Sequence, residues 1–198
     1  MKNLIQKLIP VIAIVLTAHL SVGQSQKYIV DAGHTSVQTE VMRFGVVPVV
    51  GRFTQLSGSI AFDSANVEET KASLTIQTNS YSANNIDGDA AIKSPVFLDV
   101  SNYPEIKFEL NSLEKSADGH MAKGTLELHG TKKEIEVPVT IYGPDVDLPT
   151  RKQSIGITGS LVINRTDYGV GKTMQLPNGR DIVSNDVKIS FAILGIAE

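Results

Sequence analysis

The stretch G-T-L-E-L-H-G-T-K-K-E-I-E-V-P-V-T-I, from Gly124 to Ile141, alternates on both sides of a short polar link. Leu126 and Leu128 point one way, with Thr125, Glu127 and His129 between and beyond them. Past Gly130, Ile135, Val137, Val139 and Ile141 share one face, and Glu134, Glu136, Pro138 and Thr140 share the other. Period-two rows joined by a short glycine-containing link read as a β-hairpin with one apolar face. His129 sits where the chain turns, so its role depends on what the rest of the chain builds.

The same period recurs outward from this hairpin. Thr35 to Phe44 reads as one strand and Val46 to Phe62 as another, with Pro48 and Gly51 inside it marking a bulge or sharp bend. Ala72, Leu74 and Ile76 alternate next, then Ile106, Phe108 and Leu110. After the hairpin come Ile155 to Ile163 and Val187 to Gly195, which brings the total to eight strands. The run from Ser82 to Val100 breaks the rhythm. Ile86, Ala90 and Lys93 fall at helical spacing there, Asn84 or Asn85 can cap, and Pro95 stops the turn. One short helix between the third and fourth strands is expected. Pro144 to Pro149 is a loop, and Tyr168 to Asp186 is a glycine-rich connection with a turn at Pro177-Asn178-Gly179.

Eight antiparallel strands can form a sandwich or a barrel, and the length of these rows favours an all-β barrel. An eight-stranded interior is filled by side chains or holds one small ligand. Gly156, Gly159 and Gly195 leave room on the inner rows, and the chain has no tryptophan. A partly empty interior is therefore expected.

Residues 1–24 read as an export signal. Lys2 and Lys7 precede the apolar run Leu8 to Ala18, and small residues at Ser21 and Gly23 precede the polar Gln24-Ser25-Gln26. The run is shorter than the roughly 18 apolar residues of a membrane span. No cysteine follows it, so a lipoprotein anchor is excluded at this site. A periplasmic or secreted protein follows, with residues 27–198 as one domain and no stable membrane anchor. Loss of the signal leaves 16 basic against 21 acidic residues, a net charge of −5. That balance favours neither nucleic acid nor an anionic membrane face. A chain of this size buries enough surface to fold without disulfides, consistent with the absence of cysteine.

Four stretches together resemble the YceI-like family, the bacterial polyisoprenoid-binding periplasmic proteins. They are Y-I-V-D-A-G-H-T-S-V-Q-T-E-V with Asp31, His34 and Ser36, then F-G-V-V-P-V-V-G-R-F from Phe44 to Phe53. The third is I-K-S-P-V-F-L-D-V-S-N-Y-P-E-I-K-F-E from Ile92 to Glu109; the fourth pairs the opening hairpin with I-N-R-T-D-Y-G-V, which ends at Val170. The order holds from about Tyr28 to Ile196. The resemblance implies an eight-stranded antiparallel lipocalin-like β-barrel whose lumen holds a polyisoprenoid or similar long-chain lipid, with no cofactor and no enzymatic activity. The chain departs from the family pattern at Gly88-Asp89-Ala90-Ala91, where the family has an Arg-Asp-x-His run, and at Arg43, where it has a histidine. These departures bear on the ligand rather than the fold. A homodimer stays open as the assembly state.

On this reading the lumen residues are Phe44, Phe62, Ile76, Phe97, Phe108, Ile157, Leu161, Phe191 and Ile193, with His34, Arg43 and Arg165 as head-group candidates. Arg165 and Asp167 read first as a buried ion bridge closing the barrel, and second as a guanidinium free to grip a phosphate. His129 reads as a turn residue whose ring bonds a loop carbonyl. The mature histidines, His34, His120 and His129, lack metal-ligand spacing. Two alternatives remain. One is an exported hydrolase using His34 with Asp31, although no G-x-S-x-G elbow, cysteine nucleophile or phosphate loop is present. The other is a ligand-free, stress-related interaction module with a filled barrel.

Overall fold

Alternation sends every second side chain of a strand to one face, and here those faces converge on a common interior. The computed structural model describes residues 25–198, so the expected signal lies outside the described residues. Its strands are β1 (Gln26–Val30), β2 (Ser36–Arg43), β3 (Val47–Phe53), β4 (Leu56–Phe62), β5 (Lys71–Gln77) and β6 (Tyr81–Ser82). They continue with β7 (Glu105–Ser116), β8 (Gly119–Leu128), β9 (Thr131–Val146), β10 (Gln153–Asn164) and β11 (Val183–Ala197). Among the described residues a single α-helix, α1, spans Ile86–Lys93.

The hydrogen-bonded order β1-β4-β5-β7-β8-β9-β10-β11 returns to β1, which closes a ring of eight antiparallel staves. β2, β3 and β6 prolong three of those staves. β11 pairs with β1 through Gly195 to Ala197 and with β2 from Val183 to Ala192, so β1 and β2 lie end to end along one partner. The row read as one strand from Val46 to Phe62 is broken at Thr54-Gln55 into β3 and β4, and β1 was not anticipated. With Tyr81–Ser82 these additions shift the numbering, so α1 follows β6 rather than a third strand. Asn85 caps α1 by accepting from the Gly88 amide at 3.1 Å, and the helix ends at Ser94, just before Pro95.

Gly51 is not a bulge: the β2–β3 register runs unbroken from Val37↔Phe53 to Arg43↔Val47. It is a clearance, since a Cβ at this position would overlap the Tyr81 ring. Register breaks lie elsewhere, between Leu110 and Ser112, between Ser154 and Gly156, and between Val183 and Val187.

The hairpin of residues 124–141 turns through His129 (φ 52°) and Gly130 (φ 74°), between the paired Leu128 and Thr131. Positive φ at both central residues is the requirement of a type I′ turn. His129 is thus a turn residue, but its ring does not bond a loop carbonyl. Its Nε2 is buried without a partner and the ring packs on Tyr103 at 4.0 Å between centroids.

Candidate ligand cavity

The inward rows build two apolar clusters. One gathers Val37, Phe53, Ile76, Leu98, Ile163 and Val170 toward the α1 end; the other gathers Tyr28, Ile60, Phe62, Leu113, Val139 and Ile155 at the opposite end. Ile135, Leu161, Phe191 and Ile193 pack against both. These four face inward and yet remain half-exposed, as do Leu74, Phe108 and Ile157. All seven line one cavity of about 250 Å³ that runs between the clusters. Their exposed area is therefore lumen surface. A lumen with so few polar atoms on its wall excludes water, as apolar cavities do.

Eight of the nine expected lumen residues, Phe62, Ile76, Phe97, Phe108, Ile157, Leu161, Phe191 and Ile193, line this cavity. Phe44 does not. It lies past the end of β2, out of phase with the inward Val37, Thr39 and Val41, at a turn with φ 55°, and the Arg43 guanidinium lies over its ring at 4.1 Å. Arg43 is thereby held on the hairpin tip rather than in the lumen. His34 also lies outside the cavity, in the connection from β1 to β2. Its Nδ1 is 2.7 Å from Asp31 Oδ2, an exposed pair that raises the imidazole pKa and lowers that of the carboxyl. Among the described residues, Asp31 is the side chain that His34 contacts by hydrogen bond, and the pair stands at the surface away from the lumen.

Arg165 does reach the cavity, and its surroundings differ from expectation. Asp167 pairs with Lys133 at 3.3 Å at the surface, so the buried ion bridge does not form. The Arg165 side chain instead donates to backbone carbonyls: Nε to Ser184 at 3.0 Å, Nη1 to Val170 at 2.7 Å, and Nη2 to Lys172 and Val183 at 3.3 Å. Nη2 also reaches Asn185 Oδ1 at 3.0 Å. The residue is 4% exposed, and burial lowers its pKa from the usual guanidinium value. Arg165 opens a turn ending at Gly169, whose φ of 75° reverses the chain and brings the Val170 carbonyl back to the guanidinium. The connection from Gly169 to Ile182 is so tied down across the end of the barrel.

Sequence reasoning missed Thr70. It is 2% exposed, lines the cavity, and its hydroxyl has no hydrogen-bond partner. Thr70 stands one step before the row Ala72, Leu74 and Ile76 and in phase with it, so extending that row finds it; the polar E-E-T-K context masks the signal. A buried unpaired hydroxyl costs about 1–3 kcal/mol. Thr70→Val should accordingly raise stability by about 1 kcal/mol, read as a higher urea midpoint at unchanged slope.

The sequence profile of the YceI-like domain matches residues 28–194. A UPF0312 protein of Pseudomonas savastanoi pv. phaseolicola is 33% identical over 162 residues, covering 78% of this chain and 82% of that protein. Among solved structures, Burkholderia cenocepacia BcnA superposes with a TM-score of 0.73 at 22% identity, covering 83% of this chain and 98% of that one. A polyisoprenoid binding domain from Saccharophagus degradans, implicated in plant cell wall breakdown, superposes with a TM-score of 0.62 at 17% identity, covering 88% and 100%. At these identities the two structures share the fold with this chain.

Proposed function

The chain belongs to the YceI-like domain family, and on that premise we propose that it is an exported carrier, holding a polyisoprenoid or similar long-chain lipid in its lumen in lipocalin-like fashion. The observation that carries this reading is the row of inward-facing but half-exposed side chains around the apolar cavity. A filled interaction module has no reason to leave that surface open. The kinship of fold with a polyisoprenoid binding domain supports the same ligand class.

Apolar transfer contributes about 0.8 kcal/mol per buried CH₂. A few isoprenoid units therefore suffice for tight binding, even after ordering costs take back a large part. Contacts from Phe62, Ile76, Phe97, Phe108, Ile157, Leu161, Phe191 and Ile193 hold the tail without directional bonds, which suits transport, storage or sequestration better than catalysis. The reading of residues 1–24 as an export signal supports work in the periplasm or the exterior. The hydrolase alternative rests on His34 and Asp31, which lie outside the cavity.

Native mass spectrometry of protein purified from its own cells under non-denaturing conditions tests the proposal. A population heavier than the apo chain, releasing a lipid on activation, is expected. A purely apo spectrum, together with no uptake of added isoprenoid or fatty chains, would overturn it.

A further inference from the structure

We propose that the lumen selects a chain ending in an anion, a carboxylate or phosphate, and seats that group against Arg165 at the end closed by the Gly169 to Ile182 connection. This rests on the lumen reading above and adds the chemistry of the head group. Arg165 is a buried cation on the wall of an otherwise apolar cavity. No carboxylate among the described residues comes within 4.0 Å of it, the ion-pair limit. Asp181 is the acid whose field reaches it, from beyond that distance.

Carbonyl dipoles and Asn185 satisfy the guanidinium only in part. Nη1 carries two hydrogens and meets one acceptor, the Val170 carbonyl. The ring of Phe97 lies 5.7 Å from the guanidinium carbon, and Gly171 adjoins both. A Cβ at position 171 would come within 2.8 Å of Nη1 and 2.9 Å of the Phe97 ring, so only glycine lets the connection pack this closely on the guanidinium. In a dry cavity an unpaired charge acts over several ångströms with little screening. An anion there gains a charge-assisted hydrogen bond and supplies the missing counter-charge. The alkyl tail then runs toward Ile60 and Phe62 at the far end.

The test uses the delipidated, full-length mature chain and chain-matched competitors against a fluorescent lipid probe. Hexadecanoate and hexadecyl phosphate are expected to bind about tenfold or more tighter than hexadecanol, with hexadecylamine weakest. The mature protein is net negative, so general electrostatics opposes such a preference rather than producing it. Acidification through the fatty acid's own pKa should weaken hexadecanoate and leave hexadecanol unchanged. Arg165→Lys, checked for folding by circular dichroism, should shrink the preference, because lysine keeps the charge but loses the fork. Equal affinity for acid and alcohol, or a preference for the amine, overturns the head-group assignment while the lumen survives. Failure of every chain to bind removes both.

Discussion

Leu161→Trp is expected to lower affinity for a long apolar chain by about a hundredfold while the barrel stays folded. Leu161 faces inward from β10 and packs against both apolar clusters, so it stands where the two halves of the cavity meet. An indole there occupies the volume through which a tail must pass. Denying the lumen to about four CH₂ groups removes about 3 kcal/mol of transfer free energy. Added bulk costs about 1–3 kcal/mol in a well-packed core. Here it enters empty space, so the lower end of that range applies. The native chain has no tryptophan, which makes the new indole a unique fluorescent reporter. Blue-shifted emission places it in an apolar, dry site; titration with a lipid then measures the loss. Val162→Trp is the matched control, because Val162 is 63% exposed on the outer face of the same strand. If both variants bind lipid as the native protein does, the chain is held somewhere other than the lumen.

The legible part of this fold is the part that alternation encodes. From Ile106 onward the staves carry apolar period-two rows, and β7 to β11 all appear. β7 nevertheless runs past its register break to Ser116, and β9 runs to Val146, through part of the expected loop at Pro144 to Pro149. Where one stave is made of two strands, the signal weakens. Thr54-Gln55 interrupts β3 and β4 without a proline or glycine, so the interval reads as continuous. β1 is short and its Gln26-Lys27 start looks like a tail. Tyr81–Ser82 is too brief to alternate at all.

The cavity was legible for the same reason, since inward residues on long rows must meet. What a sequence cannot carry is the path of a chain at a turn. Phe44 lies one residue past β2, out of phase with the inward Val37, Thr39 and Val41, and turns away through a positive φ. Arg165 and Asp167 are two apart, which in a strand would put them on one face, but they begin a helical turn and diverge. Thr70 continues the row of Ala72, Leu74 and Ile76 by one step, but its polar flank hides it.

The divergence of Arg165 and Asp167 makes opposite forecasts for the two residues. Arg165→Met should destabilise the protein by about 3–5 kcal/mol, the net of several carbonyl acceptors losing a charged donor. Methionine fills similar space but leaves the carbonyls of Val170, Lys172, Val183 and Ser184 without the donors they now meet. Each buried acceptor left unpaired costs about 1–3 kcal/mol, although those at the rim recover water. For a chain of this size the melting temperature should fall by roughly 6–20 °C. Asp167→Ala, by contrast, should cost at most about 1 kcal/mol, because its bond to Lys133 joins two side chains that are 56% and 41% exposed. A buried ion bridge would have made the two losses comparable, since either deletion strands the other charge. Thermal unfolding followed by circular dichroism separates the cases. If Arg165→Met melts within a few degrees of the native protein, the connection from Gly169 to Ile182 is held by its own turns, and the guanidinium is not its anchor.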